Sequence, residues 1–134
     1  MNKAGASSIA VATGVATGAA MLGLMEVTER LVPEASPWSA TLWATLTSLS
    51  PVCPGFAAGL VARRRGFVVG AIASVLTSIL YSIYANSIAP RSIMDPPPAG
   101  VLPQEVTWAA VAVIVGGICG IAGAAVRRER WNAF

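Results

Sequence analysis

The residues best placed to do chemistry lie in Ser50-Pro-Val-Cys-Pro-Gly55, inside a run that carries no charge from Ala35 to Ala62. Proline has no backbone N–H, and its ring crowds the carbonyl four residues earlier. Pro51 and Pro54 therefore predict a kink or a short unwound turn. Carbonyls freed in an apolar medium need partners. Either Ser48, Ser50, water or a neighbouring helix supplies them, or the break lines a cavity and offers oxygens to an ion or polar solute, as broken helices do in transporters. No charged residue accompanies the break, which favours the first reading.

Other reactive groups are few. The chain has no histidine, so histidine haem ligation, histidine proton relays and Ser-His or Cys-His nucleophilic pairs are excluded. Cys53 and Cys119 are too few for a structural zinc site within one chain. They precede Arg63 and Arg127 by 10 and 8 residues, which suggests similar depth, and they read as inert thiols rather than a redox pair. No catalytic, cofactor-binding or metal-ligating residue is expected. The third apolar segment carries a polar face of Ser74, Ser78, Ser82 and Asn86, flanked by Thr77, Tyr81 and Tyr84. Such hydroxyls satisfy preceding carbonyls or a neighbouring helix more often than they line a pathway. Glu26 is the acid nearest an apolar segment; with Glu29, Glu34, Asp95 and Glu105 it forms either solvated loop charges or an acidic vestibule.

The elements that position these residues follow from composition. Of 134 residues, 55% are hydrophobic and 11% charged, and the mean hydropathy is +0.69; soluble domains carry about 25% charged residues. This is the composition of a membrane protein. Four segments approach the ~20 residues that span a hydrocarbon core: about 6–25, 38–62, 67–89 and 106–126. Lys3, Arg63, Arg64, Arg65, Arg127, Arg128 and Arg130 then lie on one side, and Arg30 and Arg91 on the other. Positive-inside bias puts both termini and the Arg63 loop in the cytoplasm. The pI near 9.4 reflects these clusters at segment ends, not a nucleic-acid surface. Arg63 to Arg65 and Arg127, Arg128 and Arg130 suit anionic lipid headgroups. Trp38, Trp43 and Trp108 fall near one boundary and Trp131 near the other. A secretory signal peptide is the rival reading of the first segment, but its apolar run continues through Met21, Leu22, Leu24 and Met25. The loop Pro90 to Glu105, with Pro96-Pro97-Pro98, is expected to be extended.

Each segment or its edge carries Gly-x-x-x-Gly: Gly14 and Gly18, Gly55 and Gly59, Gly66 and Gly70, Gly116 and Gly120. Lipid gives helices little hydrophobic reason to associate, so association depends on close backbone approach, which glycines at i, i+4 permit. The third ridge continues through Ser74, Ser78 and Ser82, and the fourth joins Ala112 and Ala124. The fold class predicted is all-α, a polytopic membrane protein forming a single compact bundle of four transmembrane helices. A faint repeat aligns Val32 to Ala40 with Leu102 to Ala110, and Gly59 to Arg65 with Gly123 to Glu129. It reads either as two tandem helical hairpins or as the shared need of inward-running helices for a leading tryptophan and trailing arginines.

The run GFAAGLVARRRG resembles small polytopic bacterial membrane proteins in composition and topology only, and it transfers no residue roles. The expectation is a non-enzymatic accessory or assembly subunit of a plasma membrane, the bacterial inner membrane, associating with a larger membrane complex or with itself. The alternative is a homo-oligomeric transporter or channel built on the broken second segment and the hydroxyl face of the third.

Overall fold

The computed structural model describes residues 3–32, 36–62, 65–88 and 101–132, and among them it is all-helical. Five helices follow in order: α1 (Lys3–Leu31), α2 (Ser39–Leu49), α3 (Val52–Val61), α4 (Gly66–Ile88) and α5 (Val101–Asn132). They supply four stretches long and apolar enough to cross a membrane: Gly5–Thr28, Ser39–Val61, Gly66–Tyr84 and Val106–Glu129. The chain is therefore a multi-pass membrane protein by length and composition. In lipid each spanning segment must satisfy its backbone groups internally, and only a helix does so within one segment.

Helix ends follow local chemistry. α1 stops at Leu31, two residues before Pro33, because the residue preceding proline is driven out of helical dihedrals. A turn then starts α2: the Ser39 N–H donates to the Ser36 carbonyl at 3.0 Å, and the Ser39 hydroxyl reaches the same oxygen at 2.8 Å. α3 ends at Ala62, whose backbone is extended (φ −66°, ψ 128°). Arg65 then takes a left-handed φ of 63° before α4 begins. Its carbonyl accepts from the Val69 N–H at 3.1 Å.

Two boundaries depart from expectation. α1 continues past the apolar run through Glu26 and Arg30, since a helix has no reason to stop where its span of lipid stops. α5 begins at Val101, inside the stretch expected to be extended, with Pro103 in its first turn. Proline is tolerated there because a first-turn N–H has no intrahelical acceptor. Residues 89–100, with Arg91, Asp95 and the three prolines, lie outside the described residues, as do Glu34, Arg63 and Arg64.

Glycine contacts fix the helix directions. An ideal Cβ on Gly14 falls 2.6 Å from the Ala73 Cβ, and one on Gly18 falls 2.2 Å from the Thr77 hydroxyl, so α1 and α4 run the same way. Gly55 faces Gly116 and Gly59 faces Gly120, so α3 and α5 are likewise parallel. Gly66 faces Gly120 and Gly70 faces Gly116, which makes α4 antiparallel to α5. Around the structure the order is α1, α3, α5, α4, with α3 touching α4 across the middle and, among the described residues, no approach of α1 to α5.

The interior is built of small groups. Its buried apolar cluster is Ala10, Ala58, Ala62, Val69 and Ala73, and the largest fully enclosed side chains are Pro54 and Ser74. The bulky side chains Ile72, Ile79, Ile83, Ile114, Ile118 and Ile121 are exposed. Such an arrangement is backwards for water and natural for lipid, where large apolar groups lose nothing by facing out and small ones let backbones meet.

Candidate functional site

The site that gathers most of the singled-out residues is the junction of α3, α4 and α5 beneath the α2–α3 break. α2 and α3 are separated only by Ser50 and Pro51, and both keep right-handed helical dihedrals (φ −58°, ψ −39° and φ −82°, ψ −22°). The polypeptide is interrupted rather than unwound. The Ser50 N–H is shared between the carbonyls of Leu46 at 3.1 Å and Thr47 at 3.3 Å. The second of these is the carbonyl to which Pro51, lacking an N–H, has nothing to donate. Pro54 sits in the first turn of α3 and is fully buried. There its missing N–H costs little.

The Pro51 carbonyl is held from outside its own helix: the Ser74 hydroxyl of α4 donates to it at 2.9 Å. Ser74 is completely buried. Beside it, a Cβ on Gly116 would stand 2.1 Å from the Ser74 hydroxyl oxygen. The Ser74 bond ties the break to α4 at the Pro51 carbonyl, whereas the carbonyls that Pro51 and Pro54 leave without a helical N–H donor are those of Thr47 and Ser50. Ser48 instead bonds its own Ala44 carbonyl at 2.7 Å.

Below Ser74 the glycines form two decks. The Gly116 carbonyl oxygen lies 2.4 Å from an ideal Cβ on either Gly55 or Gly70. The Gly120 carbonyl oxygen lies 2.2 Å from one on Gly59 and 2.5 Å from one on Gly66. Each of these two α5 carbonyls is therefore flanked by one glycine of α3 and one of α4, one helical turn apart. Gly123 joins them, its Cβ position falling 2.4 Å from the Phe56 carbonyl. Real Cβ atoms do not approach so closely, and the neighbours here are backbone with no freedom to swing aside. Gly14 and Gly18 do the same work for α1, the first against Ala58, Ala73 and the Pro54 carbonyl, the second against Thr77.

On the hydroxyl face of α4, two side chains bond preceding carbonyls of their own helix. Thr77 donates to the Ala73 carbonyl at 2.9 Å and Ser78 to the Ser74 carbonyl at 3.0 Å. Ser82 also has a partner, and the Asn86 side chain is outside the described residues. Among the described residues no buried side-chain nitrogen or oxygen lacks a hydrogen bond.

At the end of the molecule remote from the α3–α4 turn, Glu26 is shared between two helices. One carboxylate oxygen accepts from Arg30 at 2.6 Å and 2.8 Å. The other accepts from the Tyr84 hydroxyl of α4. Glu26 is thereby engaged with α1 and α4, whereas the Glu29 and Glu105 side chains lie outside the described residues. At the opposite end Arg127 donates to the carbonyls of Leu60 at 3.3 Å and Val61 at 2.5 Å, capping the C-terminus of α3. Composition had marked Arg127 for lipid headgroups; the tie to α3 was invisible because its partners are backbone atoms more than 60 residues away. Arg65 and Arg128 are exposed, and the side chain of Arg130 is outside the described residues.

Cys53 and Cys119 are free and half-buried. Among the described residues no three His, Cys, Asp or Glu gather as a metal site would require. No protein-family model matches the chain, and no curated protein or solved structure matches it.

Proposed function

We propose that this chain is a small integral membrane protein without enzymatic activity, an accessory or assembly subunit whose compact four-helix bundle is closed by its own Gly-x-x-x-Gly ridges. One observation carries the reading. Among the described residues the α2 backbone does not approach α4 or α5 and, of its described side chains, only Leu46 is buried, whereas the ridge glycines of α1, α3, α4 and α5 each lie against another helix of the chain. The packing capacity of the ridges is used internally, and α2 is the element left to meet a larger membrane protein or another copy. α1 belongs to the body through Gly14, Gly18 and the buried Ala10, which supports a retained first helix over a removed signal peptide.

The topology that goes with this reading places both termini and the Arg63 to Arg65 segment in the cytoplasm of a bacterial cell, with the protein in the inner membrane. Arg65 and Arg128 there face anionic headgroups. The tandem-hairpin reading pairs α1 and α3 with α4 and α5. The contact of α3 with α4, without one of α1 with α5 among the described residues, supports hairpins set side by side rather than turned about a two-fold axis.

The test is native mass spectrometry after gentle extraction, with identification of whatever remains bound. Recovery in fixed stoichiometry with a larger protein supports the subunit reading. A closed complex of identical copies favours the second reading, a homo-oligomeric transporter or channel, for which the α2–α3 break beside the buried Ser74 hydroxyl is the favouring observation. Under that reading Pro51→Ala with Pro54→Ala abolishes flux in liposomes; flux that survives both substitutions counts against it.

A further inference from the structure

We propose that Glu26 and Tyr84 form an acid-released clasp between α1 and α4: while Glu26 is ionised it holds the C-terminal turns of α1 against α4, and on protonation it lets them part. The inference concerns this contact alone and does not depend on which partner or solute the protein serves.

The seam between these two helices is built differently along its length. In its first part α1 lies on α4 by steric fit: a Cβ on Gly14 would fall 2.6 Å from the Ala73 Cβ, and one on Gly18 would fall 2.2 Å from the Thr77 hydroxyl oxygen. Beyond Gly18 that fit is missing. A Cβ on Gly23 would meet nothing within 4 Å. Met25 is the one buried residue among those described from there to the end of α1, and Leu24, Val27 and Leu31 are exposed. Across this looser stretch the Tyr84 hydroxyl of α4 donates to the Glu26 carboxylate of α1. A polar tie therefore stands where the glycine fit has ended.

The strength of the tie depends on the charge of Glu26. One carboxylate oxygen accepts from Tyr84, and the other accepts from Arg30 Nε at 2.8 Å and Nη2 at 2.6 Å. Hydrogen bonds to an ionised group are roughly twice as strong as neutral ones. Protonation removes the charge that orients Arg30 and leaves Tyr84 a neutral acceptor. The Glu26 side chain is 29% exposed, so solvent protons reach it. Its neighbours keep their charge as the pH falls. Arg30 stays a cation; Tyr84, the exposed Tyr81 of α4 and Cys53 of α3 stay neutral; and the rest of α2, α3 and α4 carries no titratable side chain. The side chains of Glu29 and Glu34 lie outside the described residues. The clasp is thus closed at neutral pH and lost in acid.

The experiment measures distances between spin labels on the full chain with Cys53→Ala and Cys119→Ala, in phosphocholine nanodiscs, from about pH 7.5 to about pH 4. One label pair is at Leu31 on α1 and Ile79 on α4; a control pair is at Ile9 and Val68, near the Gly14 end of the same seam, and all are exposed. Acid is expected to lower the ratio of docked to parted Leu31–Ile79 distances by about fivefold, the difference between a charged and a neutral hydrogen bond at a partly exposed site. The control pair stays unchanged. Glu26→Gln shows the acid distribution already at neutral pH and responds no further. Tyr84→Phe also loses the response, although Glu26 still titrates. Leu31–Ile79 distances that ignore pH overturn the proposal, as does a control pair that moves with them. A response that survives Glu26→Gln assigns the proton to another group, and one that survives Tyr84→Phe removes Tyr84 from the clasp; either result overturns it.

Discussion

Gly59 of α3 and Gly120 of α5 pack backbone against backbone: the Gly120 carbonyl oxygen occupies a point 2.2 Å from where a Cβ on Gly59 would stand. Gly59→Ala is therefore expected to destabilise the protein by about 1–3 kcal/mol, the usual range for overpacking a tight interior. Gly23 of α1 is the matched control, because a Cβ there meets no atom within 4 Å. Gly23→Ala is expected to be neutral or to stabilise by up to about 1 kcal/mol through helix propensity. Unfolding titrations in mixed micelles compare the two; equal effects would refute the close approach.

Gly116 and Ser74 form a second pair that can be taken apart. A Cβ on Gly116 would collide with both the hydroxyl oxygen and the Cβ of Ser74, at 2.1 Å and 2.4 Å. Gly116→Ala alone is expected to destabilise by about 1–3 kcal/mol. Combined with Ser74→Gly, which removes both colliding atoms, part of that loss is recovered. A double-mutant cycle reads the coupling directly, and contacting residues give about 0.5–3 kcal/mol. Strict additivity would place the two residues apart.

Arg127 and Arg128 are neighbours with different duties. Arg127 donates to the Leu60 and Val61 carbonyls, while Arg128 is exposed. Arg127→Gln is expected to lower stability by about 1 kcal/mol, a charged hydrogen bond discounted for partial exposure. Arg128→Gln leaves stability within about 0.5 kcal/mol, as surface substitutions usually do. If the two variants unfold alike, Arg127 is not a cap.

Arg65 holds the left-handed φ of 63° in the turn before α4. That conformation costs an L-residue about 1–2 kcal/mol. Arg65→Gly relieves it and should raise the unfolding midpoint, whereas Arg65→Ala, which removes the same charge without the relief, should not. The difference between the two variants isolates the backbone contribution from that of the arginine charge.

Several features were legible because they depend on neighbours in the chain. The apolar runs and the interruption at Pro51 follow from residue type alone. The glycine ridges were visible as ridges. Which helix each ridge meets was not, since small residues at i, i+4 look the same whether they face another helix of the chain, another copy or a different protein. The start of α5 at Val101 was masked by Pro103, which reads as loop until its place in a first turn is known. Glu26 and Tyr84 lie 58 residues apart, and no local pattern joins an acid to a distant phenol.

The sequence by itself determined the solvent and the elements: few charges and long apolar runs require membrane helices, and prolines, glycines and arginines fix where those helices are interrupted or end. Tertiary structure alone decided that Gly116 and Gly120 each lie between a glycine of α3 and one of α4, that Ser74 reaches the Pro51 carbonyl, and that Arg127 serves α3. The reason is physical. A helix is stabilised by hydrogen bonds within itself, so its own residues specify it. Its partners are selected by close contact between surfaces brought together from distant parts of the chain.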